Sequence, residues 1–131
     1  MLSLLLVLLA QADDPSPVLQ TSGPITIDGV LDEADWRRAV PIADFTRFRP
    51  TEGPGPAGET EVRFLQDAEH LYIGISVSNT DYEPRARISP REDINDDDQI
   101  GIYIDTYGEG TTGYIFYFNP LGIQQDIRYS T

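Results

Sequence analysis

The chain has 131 residues, 40% of them apolar, which is enough for one domain with a hydrophobic core. It has no cysteine, and this excludes disulfides, thiolate metal sites and a cysteine nucleophile. Acidic residues outnumber arginines 22 to nine, and the net charge of −13 repels phosphate backbones, so nucleic acid is not expected as a partner. The ten prolines and eleven glycines indicate many turns, as a protein of short strands requires.

The first twelve residues have the features of a signal peptide. An apolar run, LSLLLVLLA, is too short to span a bilayer, and Ala10-Gln11-Ala12 provides a small-x-small cleavage pattern. We therefore predict cleavage after Ala12 and a location in the periplasm, in the outer membrane or outside the cell. A buried core helix is the alternative. Residues 13–24, rich in Pro, Ser and Asp, are predicted to form the N-terminal tail of the mature protein.

Residues 25–131 are predicted to be an all-β domain with one short helix. That helix is expected near Trp36, with Asp32 as its N-cap and Trp36 in the core. Alternation of apolar and polar residues, and turn dipeptides such as Asn119-Pro120, predict strands at 25–27, 45–48, 60–65, 71–79, 99–106, 114–119 and 123–129. Short strands separated by turns favour an antiparallel β-sandwich of the immunoglobulin or jelly-roll type.

Two of these strands show a regular alternation that predicts which side is buried. Ile73, Ile75 and Val77 are expected to face the core, with Gly74 on the outer side. By the same argument the isoleucines of 100–104 face inward, and the tyrosine among them faces outward.

Four segments, in order, resemble family 9 carbohydrate-binding modules. They are 27–33 (IDGVLDE) followed by Trp36, then 71–74 (LYIG), 97–106 (DDQIGIYIDT) and 114–126. The resemblance implies a sugar-binding sandwich, with calcium in some members, at the N-terminus of large exported bacterial proteins. The remaining domain of those proteins has no assigned function and is often outer-membrane-like. Well-studied members clamp a terminal sugar between two tryptophans, whereas this chain has one.

We therefore hypothesise a non-catalytic carbohydrate-binding module of a larger exported protein, linked to polysaccharide catabolism. Since a predicted strand lies at the end of the chain, we expect the domain to continue beyond Thr131. Two alternatives stay open: an interaction sandwich without a sugar site, and the accessory module of a glycoside hydrolase acting on O-glycosyl bonds. A membrane or hydrolase domain would then follow in the same chain. With 22 acids, carboxylate pairs arise by chance, so no catalytic residue is assigned.

Sugar recognition needs aromatic faces for stacking and polar side chains for the hydroxyl groups. Tyr82 and Tyr107 lie in predicted loops, and Tyr103 lies on the polar side of its strand. Arg87 supplies a bidentate hydrogen-bond donor. These four residues are the predicted sugar site.

The acidic loop is a candidate calcium site, because oxygen ligands at alternate positions can converge on one ion. Asp93, Asn95 and Asp97 have the spacing of the first ligands of an EF-hand. However, Asp98 stands where that motif needs glycine, and Ile104 where it needs glutamate, so an EF-hand is excluded. A looser site that includes Asp98 is one hypothesis, and a solvated or arginine-paired loop is the other.

Overall fold

The computed structural model describes residues 18–46, 58–78 and 83–131. The chain divides into two compact units. The N-terminal unit contains the first two ranges, and the C-terminal unit contains the third. In these ranges no helix has the length and hydropathy needed to cross a membrane. Within the described ranges, six strands and one five-residue helix give an all-β structure, as predicted.

The N-terminal unit contains a three-stranded sheet in the order β1–β2–β3. Its strands are Val18–Gln20, Glu59–Gln66 and Leu71–Ser78. The first strand runs parallel to the second, and the second and third form an antiparallel hairpin.

The Asp67 carboxylate organises the turn of that hairpin. It accepts hydrogen bonds from the Tyr72 hydroxyl (2.7 Å) and from the backbone N–H groups of Glu69 (2.8 Å) and His70 (2.7 Å). These bonds hold the pKa of Asp67 well below its ordinary value, and the bond from Tyr72 contributes most to the shift. A charged carboxylate thus fixes the predicted turn.

Helix α1, Ala34–Arg38, supplies the core of the N-terminal unit. Trp36 is 4% exposed and packs with Ala39 and Leu65, which confirms its predicted core position. The indole ring also lies directly on Gly74 of β3. The prediction that Gly74 faces outward is therefore wrong, because its missing side chain makes room for the ring.

The start of helix α1 also differs from the prediction. The N-cap is Glu33 rather than Asp32, because the Glu33 backbone is still extended, and no side chain caps the helix. The buried Asp35 carboxylate instead accepts hydrogen bonds from the backbone N–H (2.7 Å) and hydroxyl of Ser22, and pairs with Arg38 at 2.7 Å. The Ser22 N–H contributes most to lowering the pKa of Asp35. The buried Asp35 carboxylate thus links the helix to the segment after β1.

The C-terminal unit contains an antiparallel sheet in the order β4–β5–β6. Its strands are Ile100–Ile104, Thr112–Phe118 and Gln124–Ser130. One side, which we call the apolar face, carries half-buried side chains on alternate residues: Ile100, Ile102, Ile104, Phe116 and Phe118. Within residues 83–131, Ile94 is the one large apolar side chain that is fully buried.

The segment before β4 covers the start of β6. The Glu92 N–H donates to the Gln124 carbonyl (3.0 Å), and the Glu92 carboxylate accepts from the Asp126 N–H (3.3 Å). Arg91 bonds to Glu92 (3.0 Å) and to Asp126. Glu92 has a φ of 72°, unusual for a residue with a side chain, and these bonds hold it there.

Five predicted strands are confirmed to within about two residues at each end, as β2, β3, β4, β5 and β6. The strand predicted at 25–27 is wrong, since the Thr26 N–H bonds to the Glu33 carboxylate rather than to a strand. The predicted tail at 13–24 contains β1. Phe45 and Thr46 are not in a strand, and residues 47 and 48 lie outside the described ranges, as does the predicted signal peptide.

Candidate functional site

The second side of the β4–β6 sheet forms a continuous tyrosine-rich surface, which we call the tyrosine face. Strand pairing places Gly101, Tyr117 and Gln125 side by side in one row and Tyr103, Ile115 and Ile127 in another. A third row pairs Gly113 with Tyr129. None of these side chains carries a charge at neutral pH, although the chain as a whole is strongly acidic.

Two phenols meet at the centre of this surface. The hydroxyls of Tyr103 and Tyr117 are 2.8 Å apart, and the rings meet edge to face with centroids 6.3 Å apart. Burial and the Tyr117 hydroxyl raise the pKa of Tyr103 to about 12. Tyr103 therefore stays neutral at physiological pH, and the two paired hydroxyl groups can each donate and accept hydrogen bonds.

Amide side chains lie beside the phenols. Gln125 is the cross-strand neighbour of Tyr117, and its side-chain oxygen is buried without a hydrogen-bond partner. The same holds for the side-chain oxygen of Gln99, directly before β4. A buried acceptor without a donor is destabilising, so these oxygens are unsatisfied polar groups of this side of the sheet.

A buried ionic network lies at one end of the sheet. Asn119 follows β5 and donates through Nδ2 to the Asp97 carboxylate (2.9 Å) and to the Arg87 carbonyl (3.2 Å). Its side-chain oxygen accepts from the N–H groups of Leu121 (3.0 Å) and Ile123 (2.8 Å), and this closes the β5–β6 turn. The network is therefore part of the scaffold of the sheet.

Arg87 is held by this network. Its Nε donates to Asp97 at 3.1 Å, and its guanidinium is half exposed, whereas the Asp97 side chain is fully buried. The Asn119 amide contributes most to lowering the pKa of Asp97, Arg87 adds to it, and burial acts in the opposite direction. One edge of the Arg87 guanidinium is thus committed to a carboxylate of its own chain.

Of the other predicted calcium ligands, one is hydrogen-bonded to the backbone and two are exposed. Asp98 accepts from the Arg85 N–H at 2.8 Å, while Asp93 and Asn95 are exposed. Among the described residues, no three acidic or histidine side chains are grouped so that they could hold a metal ion. This arrangement favours the arginine-paired loop, and calcium binding stays a prediction.

The predicted sugar residues do not converge on one point. Tyr103 lies at the centre of the tyrosine face, and Arg87 lies at the β5–β6 end of the sheet. Tyr107 is 76% exposed in the opposite turn, where Asp105 accepts from its N–H at 3.1 Å. The seven residues of β5 separate the two ends by roughly 20 Å. Tyr82 lies outside the described ranges.

Sequence reasoning did not select Tyr117, Tyr129 or Gln125 for the site. Only the register of the β4–β5 and β5–β6 hairpins shows which residues lie beside Tyr103. That register is the signal that could have identified them. With that register, alternation along β5 and β6 brings all three to the same side.

No family model, no curated protein and no solved structure matches this chain. The likeness to family 9 carbohydrate-binding modules therefore rests on the sequence motifs alone.

Proposed function

We propose that this chain is a non-catalytic carbohydrate-binding module of a larger exported protein, and that the tyrosine face binds the sugar. The observation that carries the proposal is the uncharged surface built from tyrosines and glutamines. Aromatic rings stack on the apolar faces of sugars, and the adjoining hydroxyl and amide groups match sugar hydroxyls. The motifs that resemble family 9 support the same function independently.

We also propose that the two sheets pack as a β-sandwich. The apolar face of the β4–β6 sheet supports this arrangement, because half-buried isoleucines and phenylalanines on one side of a sheet need a cover.

We assign the carboxylates of this segment no catalytic role. Every described carboxyl group whose pKa is displaced has it lowered by hydrogen bonds from its own chain: Glu33, Asp35, Asp67, Asp97 and Asp105.

Glycan binding by the secreted chain tests the proposal. A glycan array, followed by titration calorimetry on the hits, should show binding to neutral oligosaccharides that is lost in Tyr103→Ala. Mass spectrometry of the same preparation should find Asp13 at the N-terminus if residues 1–12 direct export. Absence of binding to every glycan on the array would overturn the sugar site.

A protein-interaction domain is the second candidate. It is favoured by exposed apolar side chains in the N-terminal unit, with Ile27 82%, Val40 57% and Leu71 54% exposed. If this candidate is correct, no glycan on the array is bound. Charged substitutions such as Ile27→Asp should then change association with a partner protein without changing stability.

A further inference from the structure

Two tyrosines of the tyrosine face lie against glycines of the neighbouring strand. A Cβ placed on Gly101 would be 2.7 Å from the Tyr117 ring, and one placed on Gly113 would be 2.6 Å from the Tyr129 ring. In both cases the glycine is the direct cross-strand partner of the tyrosine. Neither glycine has a positive φ, so the backbone does not require glycine there. What glycine provides at both positions is room for the ring.

The consequence is a fixed orientation of each ring. A strand side chain normally stands away from the sheet, whereas a ring seated on a glycine lies across the neighbouring strand. One face of the ring is then covered by the sheet, in agreement with the half-buried state of Tyr117 and Tyr129. A ring held in this way is already ordered, so stacking a ligand on its other face would cost little further conformational entropy.

The two seated rings are far apart for a single sugar. Tyr129 pairs with Gly113, and Tyr117 is four residues further along β5, so their Cα atoms are separated by about 14 Å. Tyr103, Ile115 and Ile127 fill the row between them. One monosaccharide cannot touch both rings, but a chain of several sugars along β5 can.

We propose that the ligand is an extended, uncharged polysaccharide, bound along the tyrosine face through internal sugars rather than through a chain end. This inference rests on the proposed carbohydrate-binding function. Tyr117 and Tyr129 are the two stacking platforms, and Gly101 and Gly113 are positioning residues that keep the rings seated. The absence of ionised side chains from the face matches an uncharged ligand, and the charge of −13 repels acidic polysaccharides.

Chain length and chain ends provide the first test. The probes are linear neutral glucans, xylans and mannans, their oligosaccharides from mono- to hexasaccharide, and the same hexasaccharides reduced to alditols. Affinity should increase with length until both rings are covered, and reduction of the chain end should leave it unchanged. A monosaccharide that binds as tightly as the hexasaccharide, or a loss of binding on reduction, would overturn internal binding while the sugar-binding function survives.

Substitutions provide the second test. Tyr117→Leu and Tyr129→Leu keep apolar bulk but remove the ring, and each should weaken hexasaccharide binding roughly tenfold or more. Gly101→Ala should have a similar effect through displacement of the Tyr117 ring. The matched control is Tyr114→Leu, on the same strand but on the opposite face, which should bind as the parent does.

The melting curve of each variant is first compared with that of the parent chain. If Gly101→Ala does not fold, Tyr117→Leu and Tyr129→Leu still test the proposal. Wild-type affinity in both leucine variants would refute the platforms, as would a loss confined to Tyr107→Ala. If no glycan binds even the parent chain, the proposed function fails as well, so the two failures are distinguishable.

Discussion

Gly74 and Trp36 offer a sharp test of how the N-terminal unit is packed. A Cβ on Gly74 would lie 2.7 Å from Cζ3 of Trp36, closer than non-bonded carbon atoms approach, and 3.1 Å from Cε3, which is also tight. Because the ring is 4% exposed and rests on Ala39 and Leu65, it has little room to move. Gly74→Ala should therefore destabilise by about 1–3 kcal/mol through overpacking. The melting midpoint of a small unit would then fall by roughly 4 °C or more.

The same contact predicts strong coupling between the two positions. Trp36→Ala alone should cost roughly 3–5 kcal/mol, the usual effect of truncating a buried large aromatic. In that background the ring is gone, so adding Gly74→Ala should cost little. Urea unfolding followed by far-UV circular dichroism gives all four free energies of the cycle. Equal costs for Gly74→Ala in both backgrounds would show that the ring does not rest on Gly74.

Three further predictions concern the C-terminal unit. Asn119→Ala should destabilise by roughly 2–4 kcal/mol in thermal melts, because it leaves buried hydrogen-bond partners unsatisfied, and a neutral effect would mean that the network is not structural. The pKa of Asp97 is lowered from the ordinary Asp value of 3.8. Its contribution to stability is therefore complete at pH values above 3.8 and is lost as the pH falls through the pKa of the folded state. Melts of Asp97→Asn between neutral and acidic pH should therefore lose part of the acid dependence of the parent, and parallel profiles would contradict this. Melts with excess calcium and with chelator should coincide if arginines compensate the loop of residues 93–98, whereas an increase of several degrees with calcium would establish a metal site.

The hairpins could be predicted because each carries its own local signal. In β2 and β3, alternating residues flank a turn whose Asp67 bonds to the next few backbone groups, so pattern and structure involve the same short segment. The same is true of β4 to β6, which are joined by turns centred on Asp105 and Asn119.

The errors come from contacts between segments distant in the sequence. Strand β1 has three residues and exists through parallel pairing with β2, for which its own residues give no signal. Residues 25–27 alternate like a strand, but the Thr26 N–H is bonded to the Glu33 carboxylate rather than to another strand. Gly74 gives no hydropathy signal, and the ring that covers it belongs to a helix far away in the chain.

The candidate site was predictable only in part for a related reason. Residue types pointed to Tyr103 and Arg87, but which tyrosines surround them depends on the register of two hairpins. Register decides which residues become neighbours, and a shift of one residue would move Tyr117 to the apolar face.

The position of Glu92 beside β6 affects how this sheet can associate with other chains. An outer strand normally offers unpaired N–H and C=O groups to which another chain can add a strand. Here the Gln124 carbonyl and the Asp126 N–H are already bonded to Glu92, and the Arg91 side chain lies over the same stretch. Intermolecular strand addition at the start of β6 is therefore blocked by the protein's own loop, which protects a sheet rich in apolar and aromatic residues from aggregating along that edge.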